Sequence, residues 1–132
     1  MILLGIGSNL PSAFGDRFTN INLAISNLEK RNIKIKKKSS FYESLSYPDN
    51  KKPKYINVVV QIETSLSVEN LASVLLNIEE LLERKRSKKN DPRTCDIDII
   101  DFNGQVKNFK YNNLNFIIPH EKLIYRNFVL FP

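Results

Sequence analysis

The order in which helix and strand patterns follow one another limits the fold more than any other feature of this sequence. Apolar residues recur every three or four positions in two segments and every second position in others, which predicts two helices among several strands. The helix positions are Phe18, Ile21, Ile25 and Leu28 in the first segment and Leu71, Leu75, Ile78 and Leu82 in the second. The strand patterns cover Ile2–Ile6, Ile33–Tyr42, Tyr55–Glu63 and Asp96–Phe102.

The predicted order is therefore strand, helix, strand, strand, helix, strand. Sheets built in this order bury one face under both helices, so we expect an α+β fold of the ferredoxin-like βαββαβ type with an antiparallel sheet. Asp16 lies where a negative charge suits the dipole of the first helix, and Ser67 is the predicted N-cap of the second. A chain of 132 residues fits one domain, residues 1–132.

Charge and composition exclude several classes of protein. No apolar run reaches the roughly 20 residues that span a bilayer, so we expect no membrane partner. A single Cys excludes an internal disulfide, and the cytoplasm is the expected location. The formal charge of +6 leaves an RNA-binding sheet of the same strand order as one alternative. No segment carries the aromatic strand motif of such sheets, so we expect no nucleic-acid partner.

Two acids on one strand are the strongest candidates for chemistry. Asp96 and Asp98 are two residues apart in a strand pattern, so their carboxylates project from the same face. Two like charges this close repel unless a cation lies between them, and Mg²⁺ prefers one or two carboxylates together with substrate phosphates. The residues alone leave two interpretations open: a magnesium site for a polyphosphate, or a strand end with two solvated acids.

A second group of residues suits a flat ligand. Tyr55 and Asn57 share one face at the start of a strand pattern. An aromatic plane beside a side-chain amide can hold a planar heterocycle, although ordinary sheet packing explains the pair equally well. Gly5 and Gly7 lack the third glycine of a dinucleotide-binding loop, and we expect Gly7 to lie in a tight turn that follows the first strand.

Three further features are less specific. His120 is the single histidine, and a hydrogen-bonded packing role is the simpler interpretation. Cys95 alternates with the two aspartates, which predicts a small buried side chain on the opposite face. The basic segment from Arg84 to Arg93 contains half of the six arginines, and arginine suits bidentate contact with phosphate.

Seven short motifs occur in a fixed order along nearly the whole chain. They are Gly7-Ser8-Asn9, Ser40-Phe41-Tyr42, Tyr55-Ile56-Asn57, Ile78-Glu79 with Arg84 and Arg86, Pro92-Arg93-Thr94-Cys95-Asp96-Ile97-Asp98, Ile118-Pro119-His120 and Arg126-Asn127-Phe128-Val129-Leu130. Together they resemble the 6-hydroxymethyl-7,8-dihydropterin pyrophosphokinase family of folate biosynthesis. The resemblance implies transfer of pyrophosphate from ATP to the hydroxymethyl group of the pterin, with release of AMP. It implies ATP and the pterin as small-molecule partners, and we expect a monomer.

The resemblance also implies roles around the nucleotide. Asp96 and Asp98 correspond to ligands of two Mg²⁺ ions that bridge the triphosphate. Arg84 and Arg93 correspond to the catalytic arginines that contact the phosphates. The positions that correspond to the nucleotide site are Glu79, Arg84, Ile99, His120 and Arg126.

For the pterin, the resemblance implies an aromatic sandwich. Tyr55 and Phe128 correspond to the residues on either side of the ring, and Asn57 to the residue that bonds its edge. Backbone contacts to the pterin correspond to one loop, at Ser44, Leu45 and Tyr47.

One departure from the family pattern keeps a second alternative open. The loop before Pro92 reads Lys89-Asn90-Asp91 where the family usually carries Arg-Trp-Gly. Closure of that loop over the substrates excludes water from the phosphates, so its altered sequence bears on turnover. The alternative is a degenerate member that binds pterin or nucleotide and turns over slowly.

Overall fold

A computed structural model describes residues 1–44, 54–82, 94–111 and 114–118. These residues form seven strands and two helices. In chain order they are β1 (Ile2–Ser8), α1 (Arg17–Lys30), β2 (Lys34–Lys38), β3 (Tyr42–Ser44), β4 (Tyr55–Glu63), α2 (Val68–Leu81), β5 (Asp96–Phe102), β6 (Lys107–Tyr111) and β7 (Leu114–Ile118). In the part of the chain described, neither helix is long and apolar enough to cross a membrane.

The main sheet is antiparallel throughout and has the order β2-β4-β1-β5. Both helices pack on one face of it, and their apolar residues join those of the central strands in one core. This arrangement confirms the predicted α+β, ferredoxin-like fold.

The predicted strand at 33–42 is wrong as a single element, because the structure divides it into β2 and β3. Both pair with β4, but at opposite ends of it. The break lies at Ser39, whose backbone amide donates to the Val59 carbonyl and whose hydroxyl accepts the Val59 amide, each at 2.9 Å. A serine hydroxyl thus takes the place of a backbone carbonyl in the ladder, and the chain leaves β4 before it rejoins as β3.

Helix α2 follows the predicted pattern. Its four predicted apolar positions are buried: Leu71, Leu75, Ile78 and Leu82. The hydroxyl of Ser67 accepts the Asn70 amide at 3.1 Å, which confirms the predicted N-cap.

Helix α1 buries two of its four predicted positions, Ile21 and Leu28, but not the first. Phe18 is 42% exposed, and it packs edge-on against Phe41 with ring centroids 5.2 Å apart. Asn20 and Ala24 are buried as well. The small Ala24 lets the helix lie close to the sheet, while Asn20 is buried because its amide is hydrogen-bonded.

The amide of Asn20 fixes the turn that connects β1 to α1. Its Nδ2 donates to the Leu10 carbonyl at 2.9 Å and to the Ser8 hydroxyl at 3.3 Å. Its Oδ1 accepts the Ser12 hydroxyl at 2.6 Å. The turn therefore begins after Ser8, and the prediction that Gly7 lies in a turn is wrong: β1 continues through Gly7.

A hairpin that the sequence analysis does not predict follows β5. Strands β6 and β7 pair antiparallel, with Lys107 opposite Ile118 and Tyr111 opposite Leu114. The rings of Phe109 and Phe116 stack across the pair with centroids 5.3 Å apart. Ile118 is buried in the core, so the hairpin is attached to the helix side of the fold.

Candidate active site

Three strands bring polar groups from distant parts of the sequence into one row across the sheet. Gly7 of β1 lies opposite Asn57 of β4 on one side and opposite Asp96 of β5 on the other. Residues paired in this way point to the same face of a sheet. Their neighbours in sequence, such as Ile6 and Ile97, are buried under the helices, so the row lies on the face away from them.

The two aspartates both belong to this face. Asp96 lies opposite Gly7, and Asp98 lies opposite Gly5. Both aspartates are half-buried. Because glycine has no side chain, β1 places no bulk beside either carboxylate. The predicted projection from one face is confirmed.

The donor set of this pair suits a hard cation. Two carboxylates on one face provide oxygen ligands and leave the remaining coordination positions to phosphate and water, the arrangement that Mg²⁺ favours. Within residues 1–44, 54–82, 94–111 and 114–118, no group of three or more His, Cys, Asp or Glu side chains could hold a metal ion.

Gly7 makes room for the side chains of β4. A Cβ atom at this position would lie 3.0 Å from Asn57 Oδ1 and 3.2 Å from Tyr55 Cδ1. The amide of Asn57 and the ring of Tyr55 therefore lie directly over the backbone of β1. Gly7 therefore lies within β1 and not in the predicted turn, and its role is to let these two side chains approach the backbone closely.

Strand β3 orients Asn57. The Nδ2 atom of Asn57 donates to the Ser44 hydroxyl at 2.9 Å and to the Tyr42 carbonyl at 3.4 Å. Ser44 is itself paired with Tyr55 in register. With Nδ2 directed at β3, the Oδ1 atom lies on the side of Gly7, toward the aspartates. Tyr55, Asn57 and Ser44 thus converge, as their shared assignment to a pterin site requires.

Glu79 and Ile99 lie on the helix side of the sheet. Glu79 is 2% exposed, and one oxygen of its carboxylate accepts the backbone amide of Ile97 at 2.7 Å. Ile99 is buried in the core. Their assignment to the nucleotide site stays a prediction.

Thr94 and Cys95 lie just before β5, and Thr94 is hydrogen-bonded to the end of α2. Cys95 is buried, as predicted. The hydroxyl of Thr94 donates to the carbonyl of Leu82, which ends α2. The sequence carries no local signal for this bond, because the basic segment separates its two partners.

The remaining predicted site residues lie outside the described part of the chain, so their assignments stay predictions. They are Leu45, Tyr47, Arg84, Arg93, His120, Arg126 and Phe128.

Comparison with known proteins places the chain in a family. The family model for 7,8-dihydro-6-hydroxymethylpterin-pyrophosphokinase (HPPK) matches residues 3–132. The chain belongs to the HPPK family. This confirms the resemblance derived from the seven motifs.

Individual relatives of the HPPK family agree with this assignment. The 2-amino-4-hydroxy-6-hydroxymethyldihydropteridine pyrophosphokinase of Bacillus subtilis is 35% identical over 132 residues, which cover 98% of this chain and 73% of the relative. The protein of the same name from Aquifex aeolicus is 33% identical, with 99% and 76% covered. The folic acid synthesis protein fol1 of Pneumocystis carinii is 34% identical, with 99% and 17% covered. The chain spans less than a quarter of the length of several relatives that it matches.

Proposed function

We propose that this chain transfers pyrophosphate from ATP to the hydroxymethyl group of 6-hydroxymethyl-7,8-dihydropterin and releases AMP, as a step of folate biosynthesis. The observation that carries the proposal is the row in which Asn57, Gly7 and Asp96 lie side by side across three strands. This row supports the proposal because polar groups that suit a flat ring share one face of the sheet with a pair of acids, on a chain that belongs to the HPPK family.

The aspartate pair is the proposed magnesium site. Asp96 and Asp98 would hold two Mg²⁺ ions that arrive with ATP, and these ions neutralise negative charge on the triphosphate when bound. The half-buried position of both carboxylates strengthens their interaction with a cation relative to that of fully solvated acids.

The slot over Gly7 is the proposed pterin site. The ring of Tyr55 offers one aromatic face, and Phe128 is the proposed partner on the other side of the pterin. The amide of Asn57 is held by Ser44, so it meets the edge of the ring without having to be ordered first. In this proposal the bound pterin directs its hydroxymethyl group across β1 toward β5, the strand that carries both acids.

The proposed reaction is a direct in-line transfer. The pterin hydroxyl oxygen bonds to the β-phosphorus, the bond from that phosphorus to the oxygen shared with the α-phosphate breaks, and AMP leaves with that oxygen. The hydroxyl proton passes to solvent. Such transfers depend on positioning and on neutralisation of charge, so the proposed task of Arg84, Arg93, His120 and Arg126 is to bind the phosphates.

The test supplies the purified chain with ATP, the pterin and Mg²⁺ and measures AMP. We expect AMP to form when all three are present and to disappear when EDTA removes the metal. A folded protein that releases no AMP above background contradicts the proposal. Calorimetry then distinguishes an inactive protein from a degenerate family member, because the degenerate member would bind the pterin tightly without releasing AMP.

A further inference from the structure

The buried carboxylate of Glu79 is attached to the strand that carries both aspartates. Glu79 lies near the end of α2, and its carboxylate accepts the backbone amide of Ile97 at 2.7 Å. Ile97 lies between Asp96 and Asp98 in the sequence. The bond therefore reaches β5 at the one residue that adjoins both acids.

This contact gives the Ile97 amide a hydrogen-bond acceptor that the main sheet does not provide. Strand β5 lies at one end of the described strand order and pairs with β1 on its inner side. The amide of Ile97 points the other way, where residues 1–44, 54–82, 94–111 and 114–118 supply no further strand of the main sheet. A buried amide without a partner is destabilising, and an ionised acceptor makes one of the stronger hydrogen bonds available to it.

A second bond from the same helix holds the beginning of β5. The last carbonyl groups of a helix have no partner within it. The hydroxyl of Thr94 donates to one of these carbonyls, that of Leu82. Residues 94–97 are thus attached to α2 at both ends, by the hydroxyl of Thr94 and by the carboxylate of Glu79.

We propose that Glu79 is a positioning residue of the pyrophosphokinase site. It acts through the amide of Ile97, holding the backbone of β5 so that the carboxylates of Asp96 and Asp98 stay at the separation the metal requires. In this role Glu79 contacts neither metal nor nucleotide, so the proposal replaces its predicted place in the nucleotide site. The inference rests on the proposed function, because it assigns the acid pair to a metal-bound triphosphate.

Two substitutions of Glu79 test separately whether its hydrogen-bond acceptor or its negative charge matters. Glu79→Gln keeps the length of the side chain and a carbonyl acceptor but loses the charge. Glu79→Asp keeps the charge but is one methylene too short to reach Ile97. Glu79→Ala removes both, and Glu80→Gln on the exposed side of the same helix is the matched control. Urea unfolding establishes that each variant is folded.

The first readout is hydrogen exchange at the Ile97 amide, which is independent of activity. We expect exchange to accelerate by roughly ten- to a hundredfold in Glu79→Ala and Glu79→Asp, because the amide loses its acceptor. In Glu79→Gln it stays within roughly threefold of the original chain, since a neutral acceptor remains. Glu80→Gln leaves it unchanged.

The second readout is the Mg²⁺ concentration that gives half-maximal AMP release. This concentration rises several-fold in Glu79→Ala and Glu79→Asp and stays near the original value in Glu79→Gln. The KM for the pterin stays constant in all three variants, because Tyr55 and Asn57 lie on β4, which β1 separates from β5. Binding of Mn²⁺ with ATP, measured by electron paramagnetic resonance, shows the same order of variants without turnover.

Two results would overturn the inference. One is unchanged Ile97 exchange and an unchanged Mg²⁺ requirement in Glu79→Ala. The other is a Glu79→Asp enzyme that outperforms Glu79→Gln, because the charge and not the acceptor would then matter. If the original chain releases no AMP, the proposed function fails instead, while Ile97 exchange and Mn²⁺ binding still test the role of Glu79.

Discussion

At the scale of single residues, the site depends on Gly7 because this residue has no side chain. The amide of Asn57 and the ring of Tyr55 occupy the space over its backbone. The alternation of β4 predicts that these two residues share a face, but it does not predict what lies beneath them. That information comes from the pairing of β1 with β4, which joins residues about fifty positions apart and leaves no local signal.

Substitution of Gly7 by alanine tests this close approach. The new Cβ would lie 3.0 Å from Asn57 Oδ1, so the amide has to shift. Overpacking of this kind costs about 1–3 kcal/mol, and we expect pterin affinity, measured by calorimetry, to fall by roughly tenfold. Gly5→Ala is the matched comparison, because its Cβ meets the flexible end of Ile100 at 3.1 Å. Equal effects of the two variants on pterin affinity would contradict the role of Gly7.

The aspartate pair gives a second residue-scale prediction. Asp96→Asn and Asp98→Asn should each lower AMP release by roughly a hundred- to a thousandfold, the scale of losing one electrostatic contact to a transition state. Pterin affinity should change much less, because the slot lies on other strands. Asp101→Asn is the control on the same strand, since Asp101 accepts the Gly104 amide and asparagine can do the same. Full turnover in Asp96→Asn or Asp98→Asn would remove the metal assignment.

At the scale of elements, both helices were predictable, whereas the buried face of α1 was predictable only in part. Periodicity located both, and the four buried positions of α2 follow it. In α1 a polar residue takes a core position, because Asn20 is satisfied by groups that only the folded turn brings near. The division of the second predicted strand has the same origin, since the hydroxyl of Ser39 competes with the backbone for Val59.

The hairpin of β6 and β7 did leave a signal in the sequence. Two asparagines separate its two short runs, and a pair of such residues between strands favours a hairpin. The mixed apolar and polar composition of the two runs hides their alternation.

The cap of α1 makes stability depend on pH. The Thr19 backbone amide donates to Asp16 Oδ1 at 2.8 Å, and this bond lowers the pKa of Asp16 below the usual 3.8. The folded pKa is thus below the unfolded one, so the stabilisation is fully present above about 3.8 and is lost as pH falls through the folded pKa. Asp16→Asn keeps an acceptor without titrating. We expect urea unfolding to show a flatter loss of stability on acidification for Asp16→Asn, and identical acid profiles would contradict this.

The bond between Thr94 and Leu82 gives the second element-scale prediction. Thr94→Val keeps the shape of the side chain but leaves the Leu82 carbonyl buried without that donor, which should lower the free energy of unfolding by about 1–3 kcal/mol. Thr94→Ser retains the hydroxyl and should lose less. Chemical denaturation of the three proteins measures the difference, and equal stabilities of the valine and original chains would show that the bond contributes nothing.

At the scale of the whole molecule, the order of elements was enough to predict the sheet. A βαββαβ chain places β1 and β4 at the centre and β5 beside β1, and the observed order agrees. This topology brings two groups that are distant in the sequence, Tyr55 with Asn57 and Asp96 with Asp98, onto one face. The sequence pattern could assign each pair to one face of its own strand. It could not show that the two pairs lie near each other, because this depends on the register of β1 with β4 and β5.

The regiochemistry of phosphate transfer is the most direct test of the whole account. Phosphorus NMR of a reaction that contains the chain, ATP, Mg²⁺ and 6-hydroxymethyl-7,8-dihydropterin identifies every product. We predict that AMP and the pterin diphosphate appear in equal amounts, because the two terminal phosphates move together. Formation of ADP with a pterin monophosphate, or of AMP with free pyrophosphate whether or not the pterin is present, would contradict it.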